Sequence, residues 1–141
     1  MAVTFHNDGI TFQLKERNRH KRWISGSVRA KEKTPGEITI IFTSNERLRL
    51  MNREYLNHNY FTDVITFDYT ERGIISGDIF ISVEQVIANA ASHGTKPEEE
   101  LRRVMIHGVL HLMGFRDSTD KEREEMRKLE DEALLLWLNS D

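Results

Sequence analysis

Hydrophobic residues recur at every second position in several short stretches of the chain, which is the spacing of a half-buried β-strand. These stretches are rich in β-branched and aromatic residues and predict strands over residues 37–43, 63–69 and 74–82. Residues 3–14 predict a hairpin or a bent strand, because β-forming residues flank the turn-prone sequence Asn7-Asp8-Gly9. Gly73 marks a turn between the last two strands, which are therefore expected to pair as neighbours.

Five other stretches carry hydrophobic residues three and four positions apart, which predicts amphipathic helices. They cover residues 16–30, 45–55, 83–93, 97–113 and 121–138. Thr34-Pro35-Gly36 is predicted to break the chain, Ser44 and Thr95 to cap helices, and Gly94 and Gly114 to end them. Helices interleaved with about four strands predict an α+β (layered α/β) fold in a single domain, residues 1–141.

Composition narrows the range of functions. The chain has 141 residues and no cysteine, so disulfide scaffolds and thiolate metal sites are excluded, and a transition metal would need His, Asp or Glu ligands. No apolar run approaches the roughly 20 residues that cross a bilayer, and the first residues lack the pattern of a signal peptide. A soluble cytoplasmic protein without membrane contact is expected.

Charge is unevenly distributed along the chain. The formal net charge of −3 argues against a wholly basic nucleic-acid binder, yet residues 15–33 contain eight basic residues and two acidic ones. This segment could contact phosphate groups. It could equally be a solvated helix face whose long side chains cover apolar surface.

The most informative stretch is residues 101–120, in which His107 and His111 lie four apart inside an apolar helical run. Residues at this spacing share one face of a helix, so the two imidazoles can bind a single ion. Gly114 can end the helix in a left-handed conformation and bring Asp117 back to the same point. These residues predict a metal site formed by His107, His111 and Asp117, which would also be the catalytic residues.

Zinc is the preferred ion, because two neutral imidazoles and one carboxylate leave a fourth position open for water; nickel or manganese would fit less well. Candidates for a carboxylate that accepts a hydrogen bond from a ligating imidazole are Asp63, Asp78 and Asp120. The alternatives are a structural metal, or two core histidines satisfied by hydrogen bonds.

Gly108 bears on the chemistry. In zinc proteases the residue after the first histidine is the glutamate that acts as general base, so its replacement by glycine disfavours peptidase activity. A glycine inside a helix costs about 1 kcal/mol relative to alanine. We therefore expect a reason in packing or access, such as open space beside the metal.

Three blocks resemble one family. HGVLHLMGFRD (107–117) resembles the signature of the YbeY family, bacterial rRNA maturation factors described as metal-dependent endoribonucleases. MNREYLNHNYFTDVITFDY (51–69) resembles the family's block around TDVLSF, and SGDIFISVEQVIANA (76–90) resembles its GDIxIS strand and following helix. The resemblance extends over about residues 47–136, in the family's order and spacing.

The resemblance implies a small mixed sheet packed with helices, with the zinc helix lining a cleft. It implies a YbeY-like metal-dependent hydrolase domain with one zinc ion and a single-strand-specific endoribonuclease activity on rRNA, in 16S rRNA 3′ end processing and ribosome quality control. The expected partners are RNA and ribosomal particles, with ribosomal or GTPase assembly proteins as further candidates. The oligomeric state is open, with a monomer favoured.

This chain departs from the family at two positions. Asp117 stands where the family usually has a third histidine, and a carboxylate oxygen can also bind zinc. Leu56 stands where the family usually has an arginine that is thought to face the substrate phosphate. Arg53, Arg116 or His58 could replace that arginine.

Two residues at the start of a predicted strand are further candidates. Thr62 and Asp63 could position water or a partner of a metal ligand, or could simply cap the strand. The competing function is a non-catalytic ribosome-assembly binding factor whose structural zinc stiffens the cleft, with the acidic last helix as a protein-binding face.

Overall fold

Four strands and five helices make up residues 2–55 and 62–140, the part of the chain that the computed structural model describes. In chain order they are β1 (Val3–Asn7), α1 (Arg17–Ala30), β2 (Thr34–Thr43), α2 (Asn45–Tyr55), β3 (Val64–Asp68), β4 (Ile74–Ser82), α3 (Val83–His93), α4 (Pro97–Leu112) and α5 (Asp120–Leu138). The expected helices and the strand pair around Gly73 are confirmed. Asn57-His58-Asn59-Tyr60, whose sequence is typical of a loop, lies outside the described residues.

The strands form one mixed sheet in the order β1-β2-β4-β3. β1, β2 and β4 run parallel, and β3 pairs antiparallel with β4, with Thr66 opposite Ile79. This arrangement confirms the expected α+β fold with a small mixed sheet. β3 lies at one edge of the sheet, and the candidate metal ligands described below lie close to it.

Alternation along β4 assigns its residues to the two faces of the sheet. Ile79 and Ile81 are fully buried in the main core, which also contains residues of α1, α4 and α5. Phe80 points the other way and packs in a smaller cluster with Leu48 and Met51 of α2. Because side chains alternate between faces, the neighbouring strand β3 turns Val64 towards the main core and Ile65 towards α2.

Two glycines let α4 lie close to the sheet. A Cβ atom at Gly77 would be 2.4 Å from the carbonyl oxygen of Phe67 and 2.7 Å from a methyl group of Leu112. A Cβ atom at Gly108 would be 2.8 Å from a methyl group of Ile79. Close packing against the sheet therefore explains Gly108, rather than open space beside the metal.

Three local predictions are wrong. Residues 3–14 form neither a hairpin nor one bent strand, since β1 ends at Asn7 and pairs in parallel with β2. Thr34-Pro35-Gly36 does not break the chain but begins β2, with an irregular register between Pro35 and Ile38. The residue before α4 is Lys96, not Thr95, and its side chain forms no capping hydrogen bond. Among the described helices, none is both long and apolar enough to cross a membrane.

Candidate metal centre

Three side chains meet at the end of α4. Nε2 of His107 lies 3.1 Å from Nε2 of His111 and 3.2 Å from Oδ2 of Asp117, and the His111 to Asp117 distance is 3.3 Å. Among the described residues this is the one group of three or more histidine and acidic side chains whose ligand atoms are close enough to hold a metal ion. The structure thus brings together the three side chains that the sequence predicts as metal ligands.

The chain reverses between His111 and Asp117 for local reasons. Gly114 has a φ of 96°, which favours glycine, and the amide of Phe115 donates to the carbonyl of Leu110 at 3.1 Å. Beyond the turn, Thr119 and Glu122 form a capping box at the start of α5. The end of one helix and the start of the next therefore fix the position of Asp117.

The three ligand atoms fit a tetrahedral ion. Zinc bonds of about 2.0–2.1 Å to nitrogen and 2.0–2.2 Å to oxygen place neighbouring ligand atoms about 3.3–3.5 Å apart, close to the separations seen here. The side chains are 23, 27 and 38% exposed for His107, His111 and Asp117, respectively. A metal held by these atoms would be reachable from solvent on one side.

Glu130 of α5 is a functional candidate that the sequence interpretation missed. Its carboxylate is buried; Oε2 accepts a hydrogen bond from Nδ1 of His107 at 2.7 Å, and Oε1 accepts one from Arg103 at 2.8 Å. One signal for it does exist in the sequence. Glu130 lies four residues after Met126 and three before Ala133, within the buried stripe of the helix, where an acidic residue needs a partner.

The neighbours of His107 change its proton affinity. Burial lowers the pKa of His107, but the hydrogen bond to Glu130 and the negative charges of Glu130, Asp117 and Asp63 outweigh burial and raise the pKa overall. Because an ionised carboxylate can only accept, Nδ1 carries the proton in this hydrogen bond. In the neutral ring, Nε2 then has a free lone pair on the side of His111 and Asp117.

The ligands line one wall of a cleft of about 330 Å³. The other wall consists of Asn52, the two residues before β3 (62 and 63) and the first three residues of β3 (64–66). Asp63 is anchored there, since its Oδ2 accepts from the side-chain amide of Asn89 at 3.1 Å. Burial raises the pKa of Asp63, and the charge of His107 partly offsets this rise. The Thr62 hydroxyl, which also lines the cleft, lies 3.4 Å from the carbonyl of Val64.

The other predicted residues lie elsewhere. Asp78 projects from the α2 side of the sheet and accepts a hydrogen bond from Tyr69 at 3.3 Å, so it is not the partner of a ligand on α4. Asp120 is exposed and pairs with Arg123. Arg53 and Arg116 are both exposed. Leu56 and His58 lie outside the described residues.

Some basic side chains of the segment around α1 make contacts within the protein. Arg19 donates to the carbonyl of Trp137 at 2.7 Å and stacks on its ring, and Lys31 pairs with Glu132 at 2.9 Å. Trp23, Ile24 and Val28 face the core. Arg17 and Arg29 remain exposed.

Fold and site together define an α+β protein with an open site of two imidazoles and one carboxylate on a helix and its following turn. The chain belongs to the YbeY family, since the family model described as Endoribonuclease YbeY matches residues 4–137.

Curated relatives agree over most of their length. The chain is 44% identical to Endoribonuclease YbeY of Bacteroides fragilis over 136 residues, covering 96% of this chain and 98% of the relative. It is 45% identical to Endoribonuclease YbeY of Flavobacterium johnsoniae over 126 residues, covering 89% and 91%. The fold is similar to the solution structure of a Thermotoga maritima protein, with a TM-score of 0.64, 26% identity, and coverage of 97% of this chain and 92% of the other.

Proposed function

We propose that this chain is a metal-dependent endoribonuclease that hydrolyses phosphodiester bonds of single-stranded RNA. The observation that supports this most directly is the open triangle of ligand atoms, with edges of 3.1–3.3 Å, on one wall of the cleft. Membership of a family whose curated relatives are named endoribonucleases supports RNA as the substrate. We further propose rRNA as the natural substrate, at the 3′ end of 16S rRNA, which places the protein in the cytoplasm and in ribosome quality control.

Zinc is the proposed ion, held by His107, His111 and Asp117. The two imidazoles and the carboxylate are a donor set that zinc enzymes use, and their spacing fits the ion. A zinc ion bound here would supply Lewis-acid chemistry, polarising a phosphate oxygen or lowering the pKa of a water molecule.

The side chains of the cleft have separate roles in this proposal. Glu130 holds the His107 ring, and the anchored carboxylate of Asp63 faces the cleft, where it can accept a proton from water. Arg53 and Arg116 are exposed cations that can contact the phosphate backbone in place of the arginine that the family usually has at position 56. Such contacts weaken steeply as salt rises.

Solvent access supports catalysis over a purely structural ion. Structural zinc sites are closed by four protein ligands, whereas catalytic sites keep one position free. Within the described residues the cluster has three members, and each is partly exposed. We therefore favour an enzyme over a binding factor that uses zinc only to stiffen the cleft. Contacts with ribosomal or GTPase assembly proteins, a monomeric state and a single domain over residues 1–141 are further parts of the proposal.

The test compares RNA cleavage by three proteins purified without a metal-binding tag: the wild type, His111→Ala and the control His6→Ala, which replaces an exposed histidine of β1. Elemental analysis measures zinc in each preparation. We expect stoichiometric zinc and cleavage of single-stranded RNA by the wild type and the control, and loss of both in His111→Ala. Equal cleavage by His111→Ala would contradict the enzyme, and zinc binding without any cleavage would favour the binding factor.

A further inference from the structure

Arg103 and His107 lie four residues apart on α4 and turn towards the same carboxylate on α5. Glu130 accepts from Nδ1 of His107 through Oε2 at 2.7 Å and from Arg103 through Oε1 at 2.8 Å. A second bond from Arg103 to Asp131 at 2.7 Å fixes the guanidinium from the solvent side. Each oxygen of Glu130 therefore has its own donor.

We propose that Glu130, held by Arg103, is a positioning residue that fixes His107 in the Nδ1–H tautomer and thereby directs the Nε2 lone pair to the metal. This inference rests on the proposed metal site and extends it by two residues that bind neither metal nor RNA. Partners of this kind typically change metal affinity about 10–100-fold when they are replaced.

The requirement for a carboxylate follows from the donors on either side. Arg103 is always protonated and can only donate, and Nδ1–H of His107 is also a donor, so two acceptors are needed at Glu130. The side-chain amide of glutamine offers only one acceptor, the carbonyl oxygen, and its NH₂ group is a donor. In Glu130→Gln the charged Arg103 competes for the oxygen, and the amino group is left facing His107. This favours the Nε2–H tautomer, in which a proton occupies the position of the metal.

The same argument predicts a rescue. When Arg103 is also replaced by methionine, the glutamine oxygen is free to turn to His107 and to accept from Nδ1–H. The double variant Arg103→Met/Glu130→Gln should therefore bind zinc more tightly than Glu130→Gln alone. A purely structural role for the Arg103–Glu130 ion pair also predicts recovery of stability in the double variant, because one buried partner without the other is worse than neither. The tautomer of His107 is therefore the measurement that separates the two roles.

Two measurements test the proposal without an RNA assay. Long-range ¹H–¹⁵N NMR of metal-free protein at alkaline pH, where the ring is neutral, reports which nitrogen of His107 carries the proton. Competition with a chromophoric chelator measures zinc affinity. The matched control is Glu100→Gln. It neutralises another buried carboxylate, which lies on α4 and whose described partner is His93 at 3.4 Å.

We expect the wild type and Glu100→Gln to show the Nδ1–H form and zinc affinities within about twofold of each other. Glu130→Gln should show the Nε2–H form and bind zinc about 10–100-fold more weakly, with recovery in the double variant. An unchanged tautomer and affinity in Glu130→Gln, or a double variant weaker than the single one, would overturn the proposal. If Glu130→Gln does not fold, Glu130→Asp is the substitute, because it keeps the charge but moves the carboxylate away from Nδ1 of His107. Undiminished zinc affinity in Glu130→Asp would equally overturn the proposal. Absence of zinc binding by the wild type would instead count against the metal site, and the NMR measurement would still decide the role of Glu130.

Discussion

Oδ2 of Asp117 lies 3.3 Å from Nε2 of His111, although α4 ends at Leu112 and the chain reverses before Asp117. We predict that Asp117→Ala loses more than about 100-fold in zinc affinity, because a direct ligand contributes more than the outer partners whose loss costs about 10–100-fold. Chelator competition measures this. Asp117→His should retain zinc, since imidazole is also a zinc ligand.

The control for this series is Glu125→Ala on the exposed side of α5, which should leave zinc affinity unchanged. Wild-type affinity in Asp117→Ala would remove Asp117 from the ligand set.

Gly77 offers a test of how closely β3 and α4 must pack against β4. Alanine at this position would place a Cβ atom 2.4 Å from the carbonyl oxygen of Phe67, which no side-chain rotation relieves. We expect Gly77→Ala to lower the free energy of unfolding by about 1–3 kcal/mol in urea titrations. A Cβ atom at Gly26 of α1 would meet no neighbouring side chain within 4 Å, so Gly26→Ala should instead raise stability by about 0.5–1 kcal/mol. An undiminished stability in Gly77→Ala would show that β3 and Leu112 of α4 can both shift away from Gly77 at little cost.

The capping box at the start of α5 should affect both stability and metal binding. The hydroxyl of Thr119 accepts from the amide of Glu122 at 3.1 Å, and Oε1 of Glu122 accepts from the amide of Thr119 at 3.0 Å. Thr119→Ala is expected to lower the free energy of unfolding by about 1 kcal/mol and to weaken zinc binding, because the turn that carries Asp117 loosens. Thr119→Ser keeps the hydroxyl and should behave like the wild type in urea titration and chelator competition. Thr119→Ala with unchanged zinc affinity would separate the cap from the metal centre.

His20 should make stability depend on pH. Burial among Trp23 and Trp137 lowers the pKa of His20 below its usual 6.5, and the charge of Arg102 lowers it further, while the carbonyl of Glu16 partly opposes the shift. The unfolded state therefore binds more protons, so the contribution of His20 is fully present above about pH 6.5 and is lost as the pH falls towards the lower folded-state pKa.

The measurement is the free energy of unfolding in urea at about pH 7.5 and about pH 5.5, with chelator present so that bound metal does not contribute. Other titrating groups, such as His107, contribute equally to the wild type and to His20→Phe. The wild type should lose more stability between these two pH values than His20→Phe does. Equal losses would show that His20 does not titrate with unfolding.

Much of the fold could be predicted because periodicity and turn residues agree locally. The bounds of α2 and β4 follow from such signals, since Ser44 accepts from the amide of Arg47 and Gly73 takes a positive φ before Ile74. The hairpin prediction for residues 3–14 failed because strand propensity does not choose the partner strand. β1 instead pairs with β2, which follows a whole helix later.

The candidate ligands could be predicted from the sequence because they lie close together along the chain, whereas Glu130 lies on a different helix. His107, His111 and Asp117 lie within one helix end and its turn, so their spacing alone indicates the site. Glu130 reaches His107 only through the packing of α5 on α4, which no local pattern encodes. The face of Asp78 likewise depends on the pairing of β4 with β3.

The positions of the candidate ligands and of Glu130 along the chain affect when each becomes available during synthesis on the ribosome. The three candidate ligands occupy a short contiguous segment, so they leave the ribosome almost together. If they hold the proposed ion, they are expected to bind it first, and weakly, before the last helix has been made. Glu130 joins only when α5 docks, and this step should convert weak capture into tight retention. Metal uptake during synthesis is then expected in two stages. Before α5 docks, the chain binds the ion weakly and exchanges it, and after α5 docks, the chain binds the ion tightly.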